Sequence, residues 1–597
     1  MTIGARIQHA SATLGPRARL LAFGVVALAS VALGFLTFSV HQSQYLIEHY
    51  GYYTISFTFA WALIAAWRIA PVLGAELAAP ARRERFQAGG VIAVCTVIAV
   101  LTVPITYKVL YDEMVLQATA WDMHFFREVK TILRGYRVDG MFVPFDAYLD
   151  KRPFFFAYLV SLVHDLTGYR EANAFYVNLA LMPVVLVQVY YLGRRLAAHG
   201  GALAAVVALG TLSLLAQNAT GAGMEMLNLA MLLLTLQLGL IYLDAPDAPR
   251  LAAMLLAAVL LAQTRYESSL YVLPTAVVAL EGWRRAGRII LPPSAIFAPA
   301  LLIPYAIHNT YLSGTPLLWE LHQDEKARFG LDHFWSNLHH AGLYLFSGST
   351  LSTNSFWLSV AGILAFLFGL YRLWRGRRGW RTAPPVAVGL VAFGVVILGN
   401  LLLLMFYYWG QLDDPIVARL SLPTCVLLAL ALAYAVNVLD APRRHLAAVS
   451  IGGAVLCYVW SGLIANAQHS ALNTLDAELA WEQRYVASLP PGDRLILTNK
   501  SALPWMIHET PAIAIEQARH RVEELRFQLE NHTFREILVT QMLRPTSAAG
   551  DYQLDPADRL PDWFVLQPVA EHRFGTRLDR VSRLVEIQPR PPAPPKK

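Results

Sequence analysis

Charged residues are scarce in this chain of 597 residues. Aspartate, glutamate, lysine and arginine together make up 15% of it, whereas hydrophobic residues make up 56%. Soluble domains carry about 25% charged residues. A soluble protein of this size is therefore excluded, because the chain has too few polar groups to cover its surface with them. The composition predicts that most of the protein lies within a lipid bilayer.

Cysteine is almost absent, and the residues that occur, Cys95, Cys425 and Cys457, lie within apolar runs. Disulfide frameworks and zinc knuckles need several cysteines at short, regular spacings. The sequence therefore excludes both and predicts buried thiols. A small-residue cleavage site is also missing after the first apolar run. We expect that run to be a retained membrane span rather than a removed signal peptide.

Long apolar runs, by contrast, are abundant. A helix needs about 20 apolar residues to cross the hydrocarbon core of a membrane, and about thirteen runs approach that length. They lie at residues 20–40, 53–72, 90–110, 172–192, 201–216, 224–243, 251–265, 267–281, 290–307, 356–374, 385–408, 416–437 and 446–464. Arginine clusters occupy alternate loops, which is the positive-inside pattern rather than a nucleic-acid-binding groove. The pattern predicts an inner (plasma) membrane protein with a cytoplasmic N-terminus and an extracytoplasmic C-terminus.

The sequence predicts two domains and a tail. Residues 1–465 form the membrane domain, with long outer loops at 111–171 and 308–355. Residues 466–587 carry more charge, and two strand-like segments flank an amphipathic helix there, as in a small α/β domain. Residues 588–597 are proline-rich and are expected to be disordered. The predicted fold class is an α-helical polytopic membrane protein with a small C-terminal α/β extracytoplasmic domain.

The first outer loop is too long to be a simple connection, and it is rich in aromatic and charged residues. Its apolar run 154–166 is too short to span a membrane and contains His164 and Asp165. Runs of this length are more often interfacial. We therefore place this run at the outer face of the membrane and expect residues 111–171 to be one long outer loop with juxtamembrane helices.

Carboxylates stand at the outer ends of two predicted spans. Asp112 and Glu113 directly follow the third span, and Glu225 lies in a short outer loop beside Gly221 and Gly223. A carboxylate at a membrane boundary is a candidate functional group, because it can take a proton from a hydroxyl group. The alternative is that these acids only end a helix.

Cations are found on the same predicted face. Lys151 and Arg152 precede the interfacial run, and Arg265 occupies a turn beside Glu267, on the face opposite the basic loops. Such cations suit a phosphate held at the depth of the lipid headgroups. Two alternatives remain open. Lys151 and Arg152 would anchor the chain to anionic lipids, or Arg265 would form an ion pair with Glu225 or Glu267.

The order of these motifs resembles that of the GT-C glycosyltransferases, above all the bacterial branch that includes lipid A aminoarabinose transferase and relatives of protein O-mannosyltransferases. The matching motifs are Asp112-Glu113, Lys151-Arg152-Pro153, Gly168, Tyr191-Leu192-Gly193-Arg194-Arg195, Glu225 and Arg265. The sequence departs from the family in three respects. The family usually has Lys-Pro-Pro in the second motif, Asp at the position of Glu225, and fewer spans before the first motif. These departures indicate a divergent member, whose substrate should not be copied from its relatives.

The resemblance implies a membrane enzyme that moves a sugar from a polyprenyl-phosphate donor to a lipid, glycan or protein acceptor at the outer face. Inversion of the anomeric centre is expected with it. By this resemblance, Asp112 activates or positions the acceptor hydroxyl. Glu113 and Glu225 belong to the same catalytic group, with Glu225 helping to bind acceptor or donor.

The resemblance also implies how the donor is held. Lys151, Arg152 and Arg265 would bind its phosphate. No cofactor would be required, although some relatives bind a divalent cation near the second motif. Asp150 and His322 are the nearest candidate ligands for such a cation here.

Two other functional classes remain open. A transporter or flippase of a lipid-linked glycan would show ionisable residues near the middle of the membrane and internal repeats, and the sequence shows neither. An O-antigen ligase or polymerase would share the lipid-linked donor, but not the early Asp-Glu followed by Lys-x-Pro. Convergence of Asp112, Lys151, Glu225 and Arg265 on one site would favour the glycosyltransferase. Arg419, one turn into a late span, is left unassigned.

Overall fold

The computed structural model describes residues 15–315, 327–376, 382–440, 445–472, 474–546 and 551–589. Over these residues the chain builds a bundle of apolar helices, and a small mixed sheet follows the last of them. The protein is a multi-pass membrane protein, as its composition predicts.

Within the described residues, nine helices are long and apolar enough to cross a membrane. They are Pro16–Leu36, Arg82–Thr102, Ala172–Leu196, Glu225–Asp244, Pro293–Gly314, Phe356–Gly376, Pro385–Met405, Ala418–Leu439 and Leu446–Gln468. Two further pairs of helices meet at a sharp bend, Val40–Arg68 with Ala70–Ala78 at 59° and His199–Gly210 with Ser213–Ala219 at 67°. The total over this part of the chain is up to eleven spans if each bent pair counts as one.

The predicted count of about thirteen spans is not confirmed, because two of the predicted spans are short. The run 251–265 forms a helix of 14 residues, Ala248–Leu261. The run 267–281 forms a short 3-10 helix, Glu267–Tyr271, and then a helix of 15 residues, Val272–Ala286. A rise of about 1.5 Å per residue makes the first of these helices roughly 21 Å long, well short of a hydrocarbon core of about 30 Å.

The helix Glu225–Asp244 lies at the centre of the bundle. Of the 18 most apolar consecutive residues of this helix, 94% are buried inside the protein, compared with 22% for the helix Arg82–Thr102. It packs against Ala172–Leu196, Ala248–Leu261 and Pro385–Met405. Because Glu225 begins this helix, its carboxylate is carried into the protein interior at one end of the bundle.

The outer loop 111–171 contains helices, as predicted, and also a β-hairpin that was not predicted. The helix Leu110–Phe125 is followed by a β-hairpin and then by the helix Phe155–Thr167. This second helix coincides with the predicted interfacial run. A further helix, Phe334–Leu345, lies in the second outer loop.

The hairpin consists of β1 (Thr131–Val138) and β2 (Met141–Tyr148), which pair antiparallel. They are joined at Asp139-Gly140, where both residues have positive φ, 52° and 82°. Asp-Gly favours such a turn because both residues tolerate this backbone conformation. The dipeptide was therefore a usable hairpin signal, which the prediction of juxtamembrane helices overlooked.

The C-terminal region contains a mixed sheet in the order β4-β3-β5-β8-β7, with β6 paired to one end of β5. The strands are β3 (Arg494–Thr498), β4 (Ala512–Ala514), β5 (Glu536–Pro545), β6 (Tyr552–Gln553), β7 (Phe564–Phe574) and β8 (Arg577–Ile587). Strand β3 is parallel to β4 and β5, whereas β8 is antiparallel to β5 and β7. The helices Thr474–Ser488, Leu503–Ile507, Ile515–Ala518 and Val522–Glu530 complete this region. The expected small α/β fold is confirmed.

The hairpin joins the membrane-embedded part of the protein to the sheet. Arg134 of β1 donates a hydrogen bond to Glu524 at 3.0 Å, and the hydroxyl of Tyr136 donates to the same carboxylate at 2.7 Å. Arg521 donates to Asp146 of β2 at 3.3 Å. The first outer loop therefore cannot move without disturbing the C-terminal region.

A buried charge cluster lies inside the C-terminal region. The ammonium of Lys500 is 2.9 Å from Glu482, 2.8 Å from Asp579 and 3.5 Å from Glu478. The three acids outnumber the single ammonium, and their side chains are inaccessible to solvent. Burial raises the pKa of Glu482 to about 8, and it also raises the pKa values of Glu478 and Asp579.

This cluster predicts that the protein loses stability as the pH rises. The pKa of Glu482 lies above that of a free glutamate, so its contribution to stability is fully present below about pH 4.3 and is lost as the pH rises through about 8. We expect the thermal unfolding midpoint of the purified protein to fall between about pH 5 and pH 9. Glu482→Gln should flatten this dependence, whereas Glu530→Gln, at an exposed position, should not. An unchanged pH dependence in Glu482→Gln would contradict the prediction.

Candidate active site

Three arginines and four carboxylates form one continuous ion-pair network at the end of the bundle where Glu225 lies. In the order in which they touch, its members are Asp150, Arg152, Asp112, Arg419, Glu225, Arg265 and Glu267. Acids and arginines alternate along the whole row. The residues come from segments that are far apart in the sequence, so only the folded chain brings them together.

Asp112 lies in the first turn of the helix Leu110–Phe125, not at the end of the preceding span, which finishes at Thr102. One of its carboxylate oxygens accepts a hydrogen bond from Arg152 and the other accepts one from Arg419. Burial alone would raise the pKa of Asp112, but the two guanidiniums outweigh burial and hold it well below its usual range. Asp112 is therefore firmly ionised in this arrangement.

Glu113 points away from Asp112 and into the protein. Its carboxylate accepts a hydrogen bond from the backbone N–H of Lys108 at 3.0 Å and another from the backbone of Ala222. Burial raises the pKa of Glu113 to about 7, and the nearby charge of Glu225 adds to this effect. The surroundings of these two adjacent carboxyl groups thus shift their pKa values in opposite directions.

Small residues allow these carboxylates to approach the loop that precedes Glu225. A side-chain carbon at Gly221 would lie 2.8 Å from the carboxylate of Glu113, and one at Gly223 would overlap the carboxylate of Glu225. Asn178 holds the loop in place by donating to the carbonyl oxygens of Gly221 and Gly223 at 2.9 and 2.8 Å. The glycines of this loop thus leave room for the carboxylates of Glu113 and Glu225.

Arg265 pairs with both of the glutamates that the sequence left open. Its Nη1 donates to Glu225 at 2.5 Å and its Nε donates to Glu267 at 2.6 Å. The side chains of Arg265 and Glu225 are 7% and 3% exposed, so this pair is almost completely shielded from water. Burying an ion pair costs desolvation energy, which is offset only if the pair is well aligned and has further hydrogen bonds. Glu267 supplies one such hydrogen bond to Arg265.

Arg419 is the member of the network that the sequence analysis left unassigned. It lies at the start of the span Ala418–Leu439. Its guanidinium is 2.9 Å from Glu225 and also contacts Asp112. Its position in the sequence was a signal that could have marked it as a candidate site residue. Like Arg265, Arg419 lies at the edge of an apolar run, on the face opposite the basic loops. That signal marks an unusual arginine, but it does not identify the partners.

The second motif lies against the same network. Asp150 accepts from the guanidinium and the backbone N–H of Arg152, both at 2.8 Å, and from the hydroxyl of Tyr148 at 3.1 Å. Its carbonyl oxygen accepts from Nε2 of the buried His308 at 2.8 Å. Lys151, between Asp150 and Arg152, is half-buried. Asp112, Arg152, Glu225 and Arg265 are therefore gathered in one place, with Lys151 adjoining them in the chain.

The residues around Asp150 do not fit a metal centre. Both carboxylate oxygens of Asp150 are already bonded, one of them to a guanidinium that would repel a cation. His322 lies outside the described residues. Within the part of the chain that the structure describes, no three His, Cys, Asp or Glu side chains are grouped as metal ligands. No step of the chemistry below is assigned to a metal ion.

The chain has the fold of the GT-C glycosyltransferases, the class that its motif order resembles. A solved protein that shares this fold is ArnT, the aminoarabinose transferase, from Cupriavidus metallidurans. The TM-score is 0.52 for the apo state and 0.51 for the state bound to undecaprenyl phosphate, at 13% sequence identity. Both matches cover 82% of this chain and 97% of that chain.

A weaker structural match is the oligosaccharyltransferase of Archaeoglobus fulgidus, with a TM-score of 0.42 and 12% identity over 72% of this chain and 64% of that one. No family model matches the sequence, and no curated protein matches it. The likeness therefore concerns the fold, and the chemistry has to be argued from the site.

The tight fit of the loop before Glu225 leads to a prediction about stability. Gly223→Ala would push its new methyl group into the Glu225 carboxylate, and we expect a loss of about 1–3 kcal/mol, as for other overpacked sites. The matched control is Gly369→Ala, since that glycine has open space around it and alanine is the better helix former. Thermal unfolding of the two variants in detergent measures the difference. Equal midpoints would show that the loop is not constrained.

Proposed function

We propose that this protein is a membrane glycosyltransferase that transfers a sugar from a polyprenyl-phosphate donor to an acceptor hydroxyl at the outer face of the membrane. The observation that carries the proposal is the convergence of Asp112, Arg152, Glu225 and Arg265, from four separate segments, in one network. The GT-C fold supports it, and ArnT, which shares the fold, has been solved with undecaprenyl phosphate bound.

Among Asp112, Glu113 and Glu225, the carboxylates assigned to catalysis, Asp112 is the best placed to meet an acceptor. Its side chain is 23% exposed, whereas that of Glu225 is 3% exposed, and Glu113 is also buried. In the proposed reaction the acceptor oxygen forms a bond to the anomeric carbon as the bond from that carbon to the phosphate oxygen breaks. The polyprenyl phosphate leaves with the electron pair, and the acceptor proton passes to Asp112. Attack opposite the leaving group inverts the anomeric centre.

In this proposal, cations within the network and beside it in the chain stabilise the departing phosphate. Arg152 and Arg265 supply planar guanidiniums, which match phosphate oxygens in pairs, and Lys151 supplies a point charge. Glu225 orients Arg265 and Arg419 through its carboxylate. No cofactor is required. The acceptor class, whether lipid, glycan or protein, depends on the shape of the cavity that receives it.

The same proposal assigns an orientation in the inner membrane. The N-terminus is cytoplasmic, and the ion-pair network and residues 466–587 are extracytoplasmic. Trp121, in the helix that carries Asp112, donates to Glu509 of the C-terminal region at 3.3 Å, which supports placing both on one side. Arg195, at the other end of its span, pairs with Glu76 and Asp244 in basic loops. Labelling of single introduced cysteines in intact cells would test the assignment.

The first functional test is transfer of labelled sugar from polyprenyl-phosphate donors by membranes that carry wild type or Asp112→Asn. Removal of a general base typically lowers kcat by about 10²–10⁴-fold, and we expect a loss in that range with donor binding retained. Asp413→Asn is the control, because Asp413 is also an outer-loop carboxylate and lies 2.8 Å from Nδ1 of His340. Undiminished transfer by Asp112→Asn would remove Asp112 from the mechanism. Transport of a lipid-linked glycan without transfer would favour the flippase alternative.

Lys151 provides a test of donor binding. Lys151→Gln removes one positive charge beside the phosphate, and we expect the donor KM to rise by roughly tenfold while kcat changes less. Lys130→Gln serves as the control, because Lys130 lies in the same loop and pairs with Glu128 at 2.5 Å. A fall in kcat at constant donor KM would contradict the assigned role.

A further inference from the structure

Arg419 differs from the other two arginines of the network in the way its partners are shared. Arg152 also holds Asp150, and Arg265 also holds Glu267. Both carboxylates that Arg419 contacts, by contrast, are held by a second guanidinium as well: Asp112 by Arg152, and Glu225 by Arg265. Arg419 is therefore the central link of the row.

This arrangement decides which arginine can be redirected at the least cost. If Arg152 turned away, Asp150 would lose its guanidinium, and if Arg265 turned away, Glu267 would lose its own. If Arg419 turns away, every carboxylate of the network keeps one guanidinium partner. Leaving a buried charge without a partner is strongly unfavourable, so an incoming anion competes most easily for Arg419.

We infer that Arg419 is a positioning residue that exchanges its bond to Asp112 for a bond to the donor phosphate. The inference rests on the proposed function and deepens it, because it makes donor binding the event that releases Asp112. A phosphate offers a guanidinium the same paired oxygens as a carboxylate. The network contains one more carboxylate than guanidiniums, so a phosphate gains a guanidinium from the network by drawing it away from an acid.

The exchange resolves a conflict in the resting site. Asp112 is the most accessible of the three proposed catalytic carboxylates, yet its two guanidiniums depress its pKa and make it a poor proton acceptor. Once Arg419 has moved to the phosphate, only Arg152 remains, and the pKa of Asp112 rises towards its ordinary range. The other titratable groups that face Asp112 are Glu225 and Tyr266, and neither replaces the lost positive charge.

The consequence is an ordered reaction. Without donor, Asp112 stays clamped and does not deprotonate an acceptor hydroxyl. With donor bound, the cation that leaves Asp112 stabilises the leaving group. One side chain thus couples occupancy by the phosphate to activation of the acceptor.

The experiment measures binding of polyprenyl phosphate, without its sugar, to the purified full-length protein in four forms. These are wild type, Asp112→Asn, Arg419→Gln and the double variant. We expect Arg419→Gln to weaken binding by roughly 10- to 100-fold, as for loss of a charge-assisted hydrogen bond. Asp112→Asn should tighten binding several-fold, because it removes the competitor for Arg419. In the Arg419→Gln background this tightening should disappear.

The control for removing an arginine that pairs with two carboxylates is Arg195→Gln. Arg195 bridges two carboxylates, Glu76 at 2.8 Å and Asp244 at 2.6 Å, and its loss should leave polyprenyl phosphate binding unchanged. Arg419→Lys keeps the charge and should rescue part of the affinity. If Arg419→Gln does not fold, the same cycle is run with Arg419→Lys, in which a single ammonium should reduce the effect of Asp112→Asn.

Two results would overturn the inference: wild-type affinity in Arg419→Gln, or equal tightening by Asp112→Asn in both backgrounds. Failure of the proposed function gives a different result. If the affinities follow the expected pattern but no donor supports transfer, the phosphate exchange stands and the transferase assignment falls. If transfer requires Asp112 but the affinities show no coupling, the transferase assignment stands and only the role of Arg419 is lost.

Discussion

Three arginines lie among four carboxylates at one end of the bundle, and the rest of the site depends on keeping these charges together. An ion taken out of water is costly unless a partner compensates for the loss of hydration. Arg419 meets this requirement by contacting Asp112 and Glu225 at once. The helix that begins at Leu110, the helix that begins at Glu225 and the span that begins at Ala418 are thereby held at fixed positions relative to one another.

The C-terminal region contacts the helix and the hairpin that surround Asp112, and it helps to hold them in place. The buried cluster of this region places Lys500 among three acids. Burial is the largest cause of the raised pKa of Tyr111, and the charges of Lys500 and Glu478 also act on that pKa. Tyr111 adjoins Asp112 in the sequence, so the two charge networks meet at the start of one helix. The hairpin of the first outer loop adds a second connection through Arg134 and Glu524. The sheet is therefore part of the structure that positions Asp112.

Much of the site could be predicted because charged residues at membrane boundaries are rare and therefore conspicuous. Asp112, Glu225 and Arg265 stood out on that ground, and the structure brings them together with Arg152. Glu113 was grouped with Asp112 by adjacency, but successive residues of a helix point in different directions, and it faces the loop before Glu225 instead. The hairpin was missed, although Asp139-Gly140 marks it, because helical spacing of aromatic and charged residues dominated the interpretation.

By itself the sequence determined that this is a multi-pass membrane protein with a C-terminal α/β region, because composition and the length of apolar runs can be read from the residues directly. Its motif order gave a resemblance to the GT-C glycosyltransferases, and the shared fold was shown by the structure. The sequence did not determine the number of spans, since a run of apolar residues does not reveal where a helix breaks, as at Gln263–Tyr266. Only the tertiary structure decided which arginine holds which acid. Arg419 and Asp112 are 307 residues apart, and the energy of an ion pair depends on distance in space, which packing of the helices sets.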